Sequence, residues 1–412
     1  MRVAIIGGGA AGMMCAATLG ELQSEAEVFL IEKNDALGKK VMITGGGRCN
    51  ITTGLADIKT VLSKYPRGAK FLTSAIHRFS PAMVYEWFEN HGLPLKCEND
   101  SRVFPQSNKG KDVVQLFESI FARHGVKVLL DYSVEAIEHR PLEFVIHFKD
   151  QPALAVDAVV IAVGGRAYGK TGSVGDGYAL AKSLGHSITP LAPSLNSFVT
   201  KETWPKSVAG LSFVKAALTV ENNKKYAHTG PILFTHQGLT GPAVFALSSL
   251  VAFENYNEKQ PLKLSVDLFP DVSLEDLEKD LFKSIREIPK KSFQYALCQY
   301  IPLKLVEIVC AEIKISPLKK NGDINKKELA DVVKFLKHLP LHIIGRGAGE
   351  EFVTAGGVEL SEVNQRTMES KICPGLYLAG EILNIDGFTG GFNLQAAWAT
   401  GYLAAESIAG SL

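Results

Sequence analysis

Three glycines near the start of the chain have the spacing that most clearly indicates chemistry. Gly7, Gly9 and Gly12 form the pattern G-x-G-x-x-G directly after an apolar run at residues 3–6. The first glycine permits a tight turn, the second lets a pyrophosphate approach the backbone, and the third lets the following helix pack closely on a strand. Free N–H groups at the start of that helix then point at phosphate. The pattern predicts a binding site for an adenine dinucleotide.

An acidic residue follows at the distance that such a site requires. Glu32 ends a second predicted strand at residues 27–31, twenty residues after Gly12. A carboxylate in this place accepts hydrogen bonds from ribose hydroxyls and repels a 2′-phosphate, so we do not expect NADP at this site. A tight turn without a ligand is the alternative interpretation of the glycines alone. The complete order of strand, glycine turn, helix, strand and acid favours the binding site.

Two further glycine-rich stretches indicate where the rest of a long cofactor would lie. The glycines at 45–47 precede Arg48, and their N–H groups can converge on an anion or a flat ring, the alternative being a flexible surface turn. Near the C-terminus, glycines at 387, 390 and 391 precede an alanine-rich helix. A second loop suits FAD better than NAD, because the isoalloxazine lies far from the adenine and needs its own cradle. N–H groups at the start of that helix would favour negative charge on a reduced flavin.

Three other side chains are candidates for chemistry. His236 precedes a predicted helix start at Thr240-Gly241-Pro242, and it could exchange a proton with a substrate at the flavin or be satisfied by backbone carbonyls. Arg48 could hold the cofactor or an anionic substrate, and we favour the cofactor. Cys49 has no second cysteine at a redox spacing, so we interpret it as a small buried residue beside the flavin. The sequence shows no metal-binding constellation.

Composition limits the classes of function. The chain has 412 residues, of which 46% are hydrophobic and 21% charged, as is typical of soluble globular proteins with two or three domains. Its 44 basic and 43 acidic residues nearly cancel, so we expect neither a nucleic-acid nor a membrane partner. The lysines at 319, 320, 326 and 327 are interpreted as a solvated helical face rather than as a nucleic-acid patch. Six scattered cysteines, and the absence of a predicted signal peptide or spanning segment, favour the cytoplasm.

Hydrophobic periodicity divides the chain into an outer α/β part and an inserted part. Residues 69–125 are predicted to be helical, with Ser80 capping one helix and Gly125 following another. Short strands with alternating polarity predict an inserted β domain between residues 195 and 269. Helical periodicity then begins behind Ser273 and again behind Asn325. Near residue 343 the chain becomes glycine-rich and is predicted to return to the first domain.

Taken together, these motifs resemble a known family of bacterial flavoproteins. This is the BaiN/YhiN-like group, also described as NAD(P)/FAD-dependent or aminoacetone-oxidase-family oxidoreductases. The resemblance rests on the fingerprint at residues 7–12 and on the stretches 40–50, 167–178, 234–242, 353–358 and 380–395, which span the chain in order. It implies an α/β fold in which a Rossmann-like FAD-binding domain (1–193 and 341–412) is interrupted by a β-barrel-like domain (194–271) and a small helical domain (272–340).

The resemblance also implies which residues contact FAD. They are expected to be Gly7, Gly9, Ala10, Ala11, Gly12, Glu32, Lys33, Lys40, Thr44, Gly45, Gly46, Arg48, Cys49, Asn50, Val134, Ala162, Gly164, Gly380, Glu381, Asp386, Gly391, Phe392, Asn393, Leu394 and Gln395. One position departs from the family pattern, because Asn384 stands where an aspartate is expected, which removes a charge.

The sequence therefore predicts an FAD-dependent oxidoreductase of an unidentified small molecule. NAD(P)H is expected as a diffusible electron donor or O2 as an acceptor, because Gly345-Arg346-Gly347-Ala348-Gly349-Glu350 lacks the spacing of a second fingerprint. His236 is the candidate catalytic residue. Two alternatives stay open: a tRNA-modifying flavoprotein, which needs a basic face, and a non-catalytic flavin-binding sensor. The sequence does not specify an oligomeric state.

Overall fold

The chain forms two compact units in the computed structural model, which describes residues 1–22, 25–347 and 352–410. One unit comprises Met1–Ser194 with Glu351–Leu412, and the other comprises Leu195–Glu350. Each unit has its own hydrophobic core. The outer unit therefore combines both ends of the chain, and the inner unit is continuous in sequence.

The first part of the outer unit alternates strands with helices. Its strands are β1 (Arg2–Ile6), β2 (Glu27–Ile31), β3 (Thr52–Thr53), β4 (Leu95–Cys97), β5 (Arg102–Pro105), β6 (Lys127–Leu129), β7 (Val134–Arg140), β8 (Glu143–Phe148), β9 (Leu154–Val156), β10 (Ala158–Ile161) and β11 (Ala192–Ser194). Its helices are α1 (Ala10–Leu22), α2 (Lys39–Ile43), α3 (Ile58–Leu62), α4 (Ala69–Arg78), α5 (Pro81–Asn90), α6 (Gly110–His124) and α7 (Asp176–Ser183).

The inner unit and the returning chain supply the remaining elements. The inner unit contains β12 (Phe198–Thr200), β13 (Ser212–Val220), β14 (Ala227–Phe234), β15 (Gly238–Thr240), β16 (Leu262–Asp267) and β17 (Leu339–Arg346), with α8 (Pro242–Leu250), α9 (Leu274–Glu287), α10 (Phe293–Leu297), α11 (Leu303–Glu312) and α12 (Lys326–Lys337). The chain then returns to the outer unit as β18 (Val353–Ala355), β19 (Leu376–Leu378) and α13 (Phe392–Gly410).

A parallel sheet in the order β19-β10-β1-β2-β6 forms the centre of the outer unit. Ile6, the last residue of β1, pairs with Ile31 of β2 and with Ile161 of β10, and Ile161 pairs in turn with Leu378 of β19. The carboxyl ends of these four strands therefore lie side by side, which is where open parallel sheets bind their ligands. This arrangement confirms the predicted Rossmann-type fold.

The last helix packs against the first at unusually short range. A Cβ atom at Gly401 of α13 would lie 2.2 Å from the carbonyl oxygen of Ala11 in α1, so only glycine allows this approach. Trp398 of α13 is fully buried and donates a hydrogen bond of 2.9 Å to the Ile51 carbonyl. The C-terminal helix is thus fixed against the start of the chain.

The inner unit contains a closed barrel in the order β12-β15-β14-β13-β16-β17, as the family resemblance implied. β17 closes the barrel by pairing with both β12 and β16. The expected boundary at residues 340 and 341 falls inside this closing strand. Barrel residues such as Leu264 and helix residues such as Leu277 belong to the same core. The β-rich and helical segments consequently form one compact unit.

Local signals predicted helix ends better than they predicted short strands. Ser80, Ser273 and Asn325 cap their helices as predicted, and Asn325 forms a capping box with Glu328. The prediction that residues 69–125 are helical throughout is wrong for β4 and β5, which form a small antiparallel sheet with β3. Strands of two to four residues are stabilised by partners distant in sequence, and local periodicity does not show such partners.

A buried lysine generates a prediction about the stability of the inner unit. Lys337 donates to the carbonyls of Phe269 (2.7 Å) and Val272 (2.6 Å) and forms an ion pair of 2.7 Å with Asp267. Lys337→Met removes all three contacts and leaves a partly buried carboxylate unpaired, which costs about 2–4 kcal/mol. We expect a urea midpoint lower by roughly 1 M, measured by circular dichroism. The control Lys334→Met changes an exposed lysine of the same helix, and equal midpoints for the two variants would contradict the prediction.

Candidate functional site

The glycine turn after β1 has the geometry that pyrophosphate binding requires. The Gly7 N–H donates to the Ile31 carbonyl (2.8 Å), which fixes the turn at the edge of the sheet. A Cβ atom at Gly12 would lie 1.9 Å from the Gly7 carbonyl oxygen, so Gly12 is needed for the helix to start here. By contrast, a Cβ atom at Gly9 would have no protein atom within 4 Å. Gly9 therefore leaves space for a ligand, whereas Gly12 allows the protein to pack.

A long cleft begins at this turn, with an empty volume of about 1300 Å³ that is partly open to solvent. Of the residues expected to contact FAD, the cleft is lined by Gly7, Gly9, Ala10, Ala11, Glu32, Lys33, Lys40, Thr44, Val134, Ala162, Gly164, Gly380, Glu381, Asn393 and Leu394. Gly12, Gly45, Gly46, Arg48, Cys49, Asn50, Asp386, Gly391, Phe392 and Gln395 are not among its lining residues.

Glu32 is held in place by the turn that it faces. One carboxylate oxygen accepts from the Gly8 N–H (2.8 Å), and the other accepts from the backbone (2.9 Å) and side-chain (2.6 Å) nitrogens of Asn34. Lys33 forms an ion pair of 2.5 Å with Asp176 at the start of α7. These contacts orient the carboxylate at the carboxyl end of β2, where a ribose diol is bound in dinucleotide folds.

An ion pair lies further along the cleft. Lys40 Nζ is 2.7 Å from Glu381 Oε2, and the other oxygen of Glu381 accepts from the Thr354 N–H (2.9 Å). The two charged side chains are about four-fifths buried. Burial raises the pKa of the neighbouring Tyr178 hydroxyl, and the Glu381 carboxylate adds to that rise. Tyr178 is therefore a neutral phenol, and the charge in this part of the cleft comes from Lys40 and Glu381.

An aromatic pair lies beside the ion pair. The rings of Tyr168 and Phe352 stack with their centroids 6.1 Å apart, and the Lys40 ammonium is 6.0 Å from the Tyr168 ring centroid. Phe352 also lines the cleft. Neither ring has a role predicted from the sequence, because a stacked pair from segments nearly two hundred residues apart leaves no local pattern.

The start of α13 is held by polar side chains that were expected to contact FAD. With its amide turned to satisfy its neighbours, Asn50 accepts from the Gly391 N–H (2.9 Å) and donates to the Thr52 carbonyl (3.1 Å). Thr52 donates to the Gln395 side-chain oxygen (2.5 Å), and the Gln395 amide donates to the Phe79 carbonyl (2.8 Å). In this structure these side chains position the helix N-terminus, where N–H groups favour an anion.

Asp386 is likewise engaged within the protein. Its fully buried carboxylate pairs with the Arg67 guanidinium and accepts from the Ser194 hydroxyl (2.9 Å). The nearby Asn384, where the resemblance led us to expect an aspartate, has a buried side-chain oxygen without a hydrogen-bond partner among the described residues. An ionised carboxylate at position 384 would have a large desolvation cost, so the uncharged amide suits this environment.

The loop of residues 45–47 has positive φ angles throughout, as its glycines allow. Arg48, which follows it, pairs with Glu98 (2.7 Å), and its guanidinium carbon lies 3.8 Å from the Phe104 ring centroid. Cys49 is completely buried, and burial raises the pKa of its thiol to about 12. A thiol with that pKa is protonated at neutral pH, so Cys49 is not a thiolate nucleophile.

Several cleft residues were not identified from the sequence as contacts. They include Asn34, Tyr132, Ser173, Asp176 and Phe352. Ser173 and Asp176 lie within the motif at residues 167–178, which was noted for the family resemblance but not for a role. That motif is the one signal that pointed towards them.

His236 lies in the inner unit, on the tight turn between β14 and β15. The turn is closed by the Thr235 N–H, which donates to the Gly238 carbonyl (2.8 Å). His236 is exposed and its ring makes no hydrogen bond within the described part of the chain. The alternative interpretation was that backbone carbonyls accept hydrogen bonds from the His236 ring, and the described residues show no such bond. Its assignment as a catalytic residue stays a prediction.

Two features are absent from the described residues. No group of three or more histidine, cysteine, aspartate or glutamate side chains is arranged to hold a metal ion in residues 1–22, 25–347 and 352–410. None of the helices in those ranges combines the length and the apolar character needed to cross a bilayer.

Comparison with known proteins relates this cleft to a family. A family model described as the HI0933-like protein Rossmann domain matches residues 1–407. A 3-dehydro-bile acid Δ(4,6)-reductase from Clostridium scindens is 32% identical over 413 residues, which cover 99% of each chain. A ribosomal RNA dihydrouridine synthase from Haemophilus influenzae is 29% identical and covers 98% of this chain and 97% of its own.

A solved structure supports the fold. The 3-ketosteroid-Δ4-(5α)-dehydrogenase from Rhodococcus jostii superposes with a TM-score of 0.53 over 99% of this chain and 96% of its own, at 17% identity. At that identity the likeness concerns the fold, which is of the Rossmann FAD-binding type. The open space at Gly9 and the oriented carboxylate of Glu32 fit the pyrophosphate and the ribose of FAD.

The contrast between Gly9 and Gly12 generates a prediction about cofactor binding. Gly9→Ala places a methyl group in the cleft without touching the protein, and Gly9 does not have a positive φ. We expect the FAD-free variant to unfold at the same temperature as the unaltered chain but to bind FAD at least about tenfold more weakly, a loss of roughly 1.4 kcal/mol. Flavin fluorescence titration and thermal unfolding measure the two quantities.

The matched control is Gly12→Ala, in which the added methyl group meets the Gly7 carbonyl. This variant is expected to lose thermal stability even without FAD. Unchanged FAD affinity in Gly9→Ala, or loss of stability in both variants alike, would contradict the assignment of Gly9 to the ligand and Gly12 to the fold.

Proposed function

This chain belongs to the HI0933-like Rossmann-domain family and is an FAD-dependent oxidoreductase, and we propose that it reduces a carbon–carbon double bond conjugated to a carbonyl in a small molecule. We propose NAD(P)H as the diffusible electron donor. The observation that carries the proposal is the cleft in which Gly9 leaves room for a pyrophosphate, in a chain whose whole length resembles a reductase of conjugated double bonds.

A diffusible donor is supported by the single fingerprint turn of the described chain. The glycines at 345 and 347 lie at the end of the barrel strand β17 rather than between a strand and a helix of a βαβ unit. Residues 348–350 of that stretch lie outside the described residues. We therefore propose that NAD(P)H binds reversibly, as a co-substrate, and dissociates after reducing the flavin. Oxygen as the acceptor is the competing possibility, and anaerobic measurements separate the two.

The residues of the cleft would bind and orient the cofactor. The turn at Gly9 and the N-terminus of α1 would hold the pyrophosphate, and Glu32 would accept hydrogen bonds from ribose hydroxyls. Lys40, fixed by Glu381, would place a positive charge beside the middle of the cofactor. Bound FAD supplies hydride transfer, and the protein supplies position and electrostatics.

Reduction of a conjugated double bond requires two different hydrogens. A hydride adds to the carbon β to the carbonyl, and a proton adds to the α carbon, while NAD(P)H is oxidised overall to NAD(P)⁺. Histidine is the side chain most often used to deliver such a proton near neutral pH. We propose His236 as this donor, because the turn presents its ring to solvent without an internal hydrogen bond among the described residues.

A second candidate substrate has the same bond type. In uracil the double bond between C5 and C6 is conjugated to a carbonyl, so its reduction needs the same hydride and the same proton. The observation in favour of this candidate is the similarity, over 98% of this chain, to a ribosomal RNA dihydrouridine synthase. We rank it second, because the identity of 29% is lower than the 32% shared with the bile-acid reductase.

The proposed function predicts a spectroscopic sequence. The FAD-loaded protein, kept free of oxygen, is expected to lose its flavin absorbance on addition of NADH or NADPH. A steroid 4,6-dien-3-one is then expected to restore the absorbance in proportion to the double bonds reduced, whereas the saturated ketone is not. Gly9→Ala, measured without added FAD, serves as the cofactor-poor control. A flavin that neither donor reduces, or that only oxygen reoxidises, would refute a nicotinamide-fed reductase.

The role of His236 is tested by separating the two halves of the reaction. His236→Gln is expected to leave flavin reduction by NAD(P)H unchanged and to slow double-bond reduction by about 10²-fold, because it removes a proton donor and not a cofactor contact. Stopped-flow absorbance records both rates. The control is His338→Gln, another exposed histidine of the inner unit. Equal rates for the two variants would remove His236 from the mechanism.

A further inference from the structure

The near-neutral charge of the chain is the sum of two unequal parts. Residues 195–350 contain 21 lysines and arginines against 17 acidic residues, whereas the rest of the chain contains 23 against 26. The excess is concentrated in residues 288–327, where eight lysines face three acids. The expectation of no nucleic-acid partner rested on the total charge, so it does not apply to this segment by itself.

Backbone pairing brings the lysines of this segment together from separate stretches. Residues 289–293 and 317–322 run antiparallel, with the Phe293 N–H donating to the Lys319 carbonyl (2.8 Å) and the Asn321 N–H to the Lys291 carbonyl (2.9 Å). An ion pair of 2.6 Å between Lys319 and Glu328 then ties this ribbon to the first turn of α12. We call the exposed lysines of the ribbon and of the first turn of α12 the basic face; they are Lys290, Lys291, Lys320, Lys326 and Lys327.

The charge of the basic face is not neutralised inside the protein. None of its five lysines forms an ion pair in the described ranges, whereas Lys279 and Lys283 on α9 lie near Asp276 and Glu287. The Glu328 carboxylate is occupied by Lys319, which lowers the pKa of Glu328. Asp323 is the one acidic residue between Lys320 and Lys326.

An exposed aromatic ring adjoins the basic face. Tyr295 is 53% exposed, and the Lys291 ammonium lies 5.3 Å from its ring centroid. The Gln294 N–H donates to the Pro317 carbonyl (2.9 Å), so the backbone next to Tyr295 pairs with the backbone next to Leu318, a residue that is 76% exposed. Lysines that contact phosphates, next to rings on which bases stack, are the two components of single-strand binding surfaces.

We propose that the basic face and Tyr295 form a docking surface for single-stranded RNA. A membrane surface is the less suitable occupant, because an interfacial helix needs a free apolar face. The apolar residues of α12, Leu329, Val332, Val333 and Leu336, are instead buried in the core of the inner unit. The proposal deepens the second candidate substrate of the proposed function. It concerns RNA binding alone. RNA binding can therefore be absent while the flavin chemistry is confirmed, and it can be present while the flavin chemistry is refuted.

Fluorescence anisotropy with a labelled twelve-nucleotide uridine-rich RNA tests the proposal on the full FAD-loaded chain. Affinity is expected to fall with salt, with a slope of about −0.7 for each phosphate contacted. The double variant Lys320→Glu/Lys327→Glu is expected to bind at least tenfold more weakly and with a shallower slope. Tyr295→Ala is expected to lose roughly fivefold to a hundredfold, the range for one stacked base.

The matched control is Lys279→Glu/Lys283→Glu, which changes the net charge equally on α9 of the same unit. It is expected to bind RNA within about twofold of the unaltered chain. At physiological salt, the attraction between exposed charges more than about 8 Å apart is largely screened. Flavin absorbance and reduction by NAD(P)H, unchanged in every variant, show that folding is intact.

Three results would overturn the proposal. They are no RNA binding at 50 mM salt, equal losses in the two double variants, and binding to phosphatidylglycerol vesicles that depends on Tyr295 while RNA binding does not. An absence of RNA binding would mean that the basic face has no polyanion ligand. Equal losses would mean that total charge, and not this face, attracts RNA. Vesicle binding that depends on Tyr295 would assign the basic face to a membrane.

Discussion

The outer unit depends on how closely its first and last helices approach each other. Gly401 lets α13 lie with its backbone against the Ala11 carbonyl, and Gly12 lets α1 begin directly at the turn after β1. A side chain at either position would separate the helix from its neighbour and move the cleft walls apart. Because protein interiors are closely packed, such a displacement is not absorbed locally. The width of the cleft therefore depends on having glycine, which has no Cβ atom, at positions 12 and 401.

Around this close approach, polar groups are used mainly to position backbone. Glu32 is bound by the turn it faces, and Gln395 and Asn50 hold the start of α13 between β3 and the preceding loop. The buried carboxylate of Asp386 is compensated by Arg67 and Ser194. Buried polar groups are stable only when paired, so these networks fix a single geometry of the loops that face the cofactor. Two ion pairs, Lys40 with Glu381 and Lys33 with Asp176, line the cleft itself.

The sequence allowed good prediction wherever the determining signal was local. The fingerprint turn, the acid at position 32, and the caps at Ser80, Ser273 and Asn325 each depend on a few consecutive residues. Signals that require distant partners were missed, as for the strands β4 and β5 or the stacking of Tyr168 on Phe352. The pairing of residues 317–322 with 289–293 was missed for the same reason. From local sequence, Lys319 and Lys320 were assigned to the solvated side of a helix. Local sequence also did not show which motif residues face the cleft and which, like Asn50, serve packing.

The division of the chain also has a consequence for its synthesis. The parallel sheet contains both β1 and β19, and β19 and α13 are synthesised after the whole inner unit. The inner unit is continuous, so it can fold while translation proceeds, whereas the sheet of the outer unit is incomplete until β19 has been synthesised. The cleft residues Gly380, Glu381, Asn393 and Leu394 are likewise synthesised after the inner unit, so the complete cleft forms only then. Until β19 has been synthesised, β10 has an unpaired edge. An unpaired strand edge can pair with another chain, so misassembly is favoured during this interval.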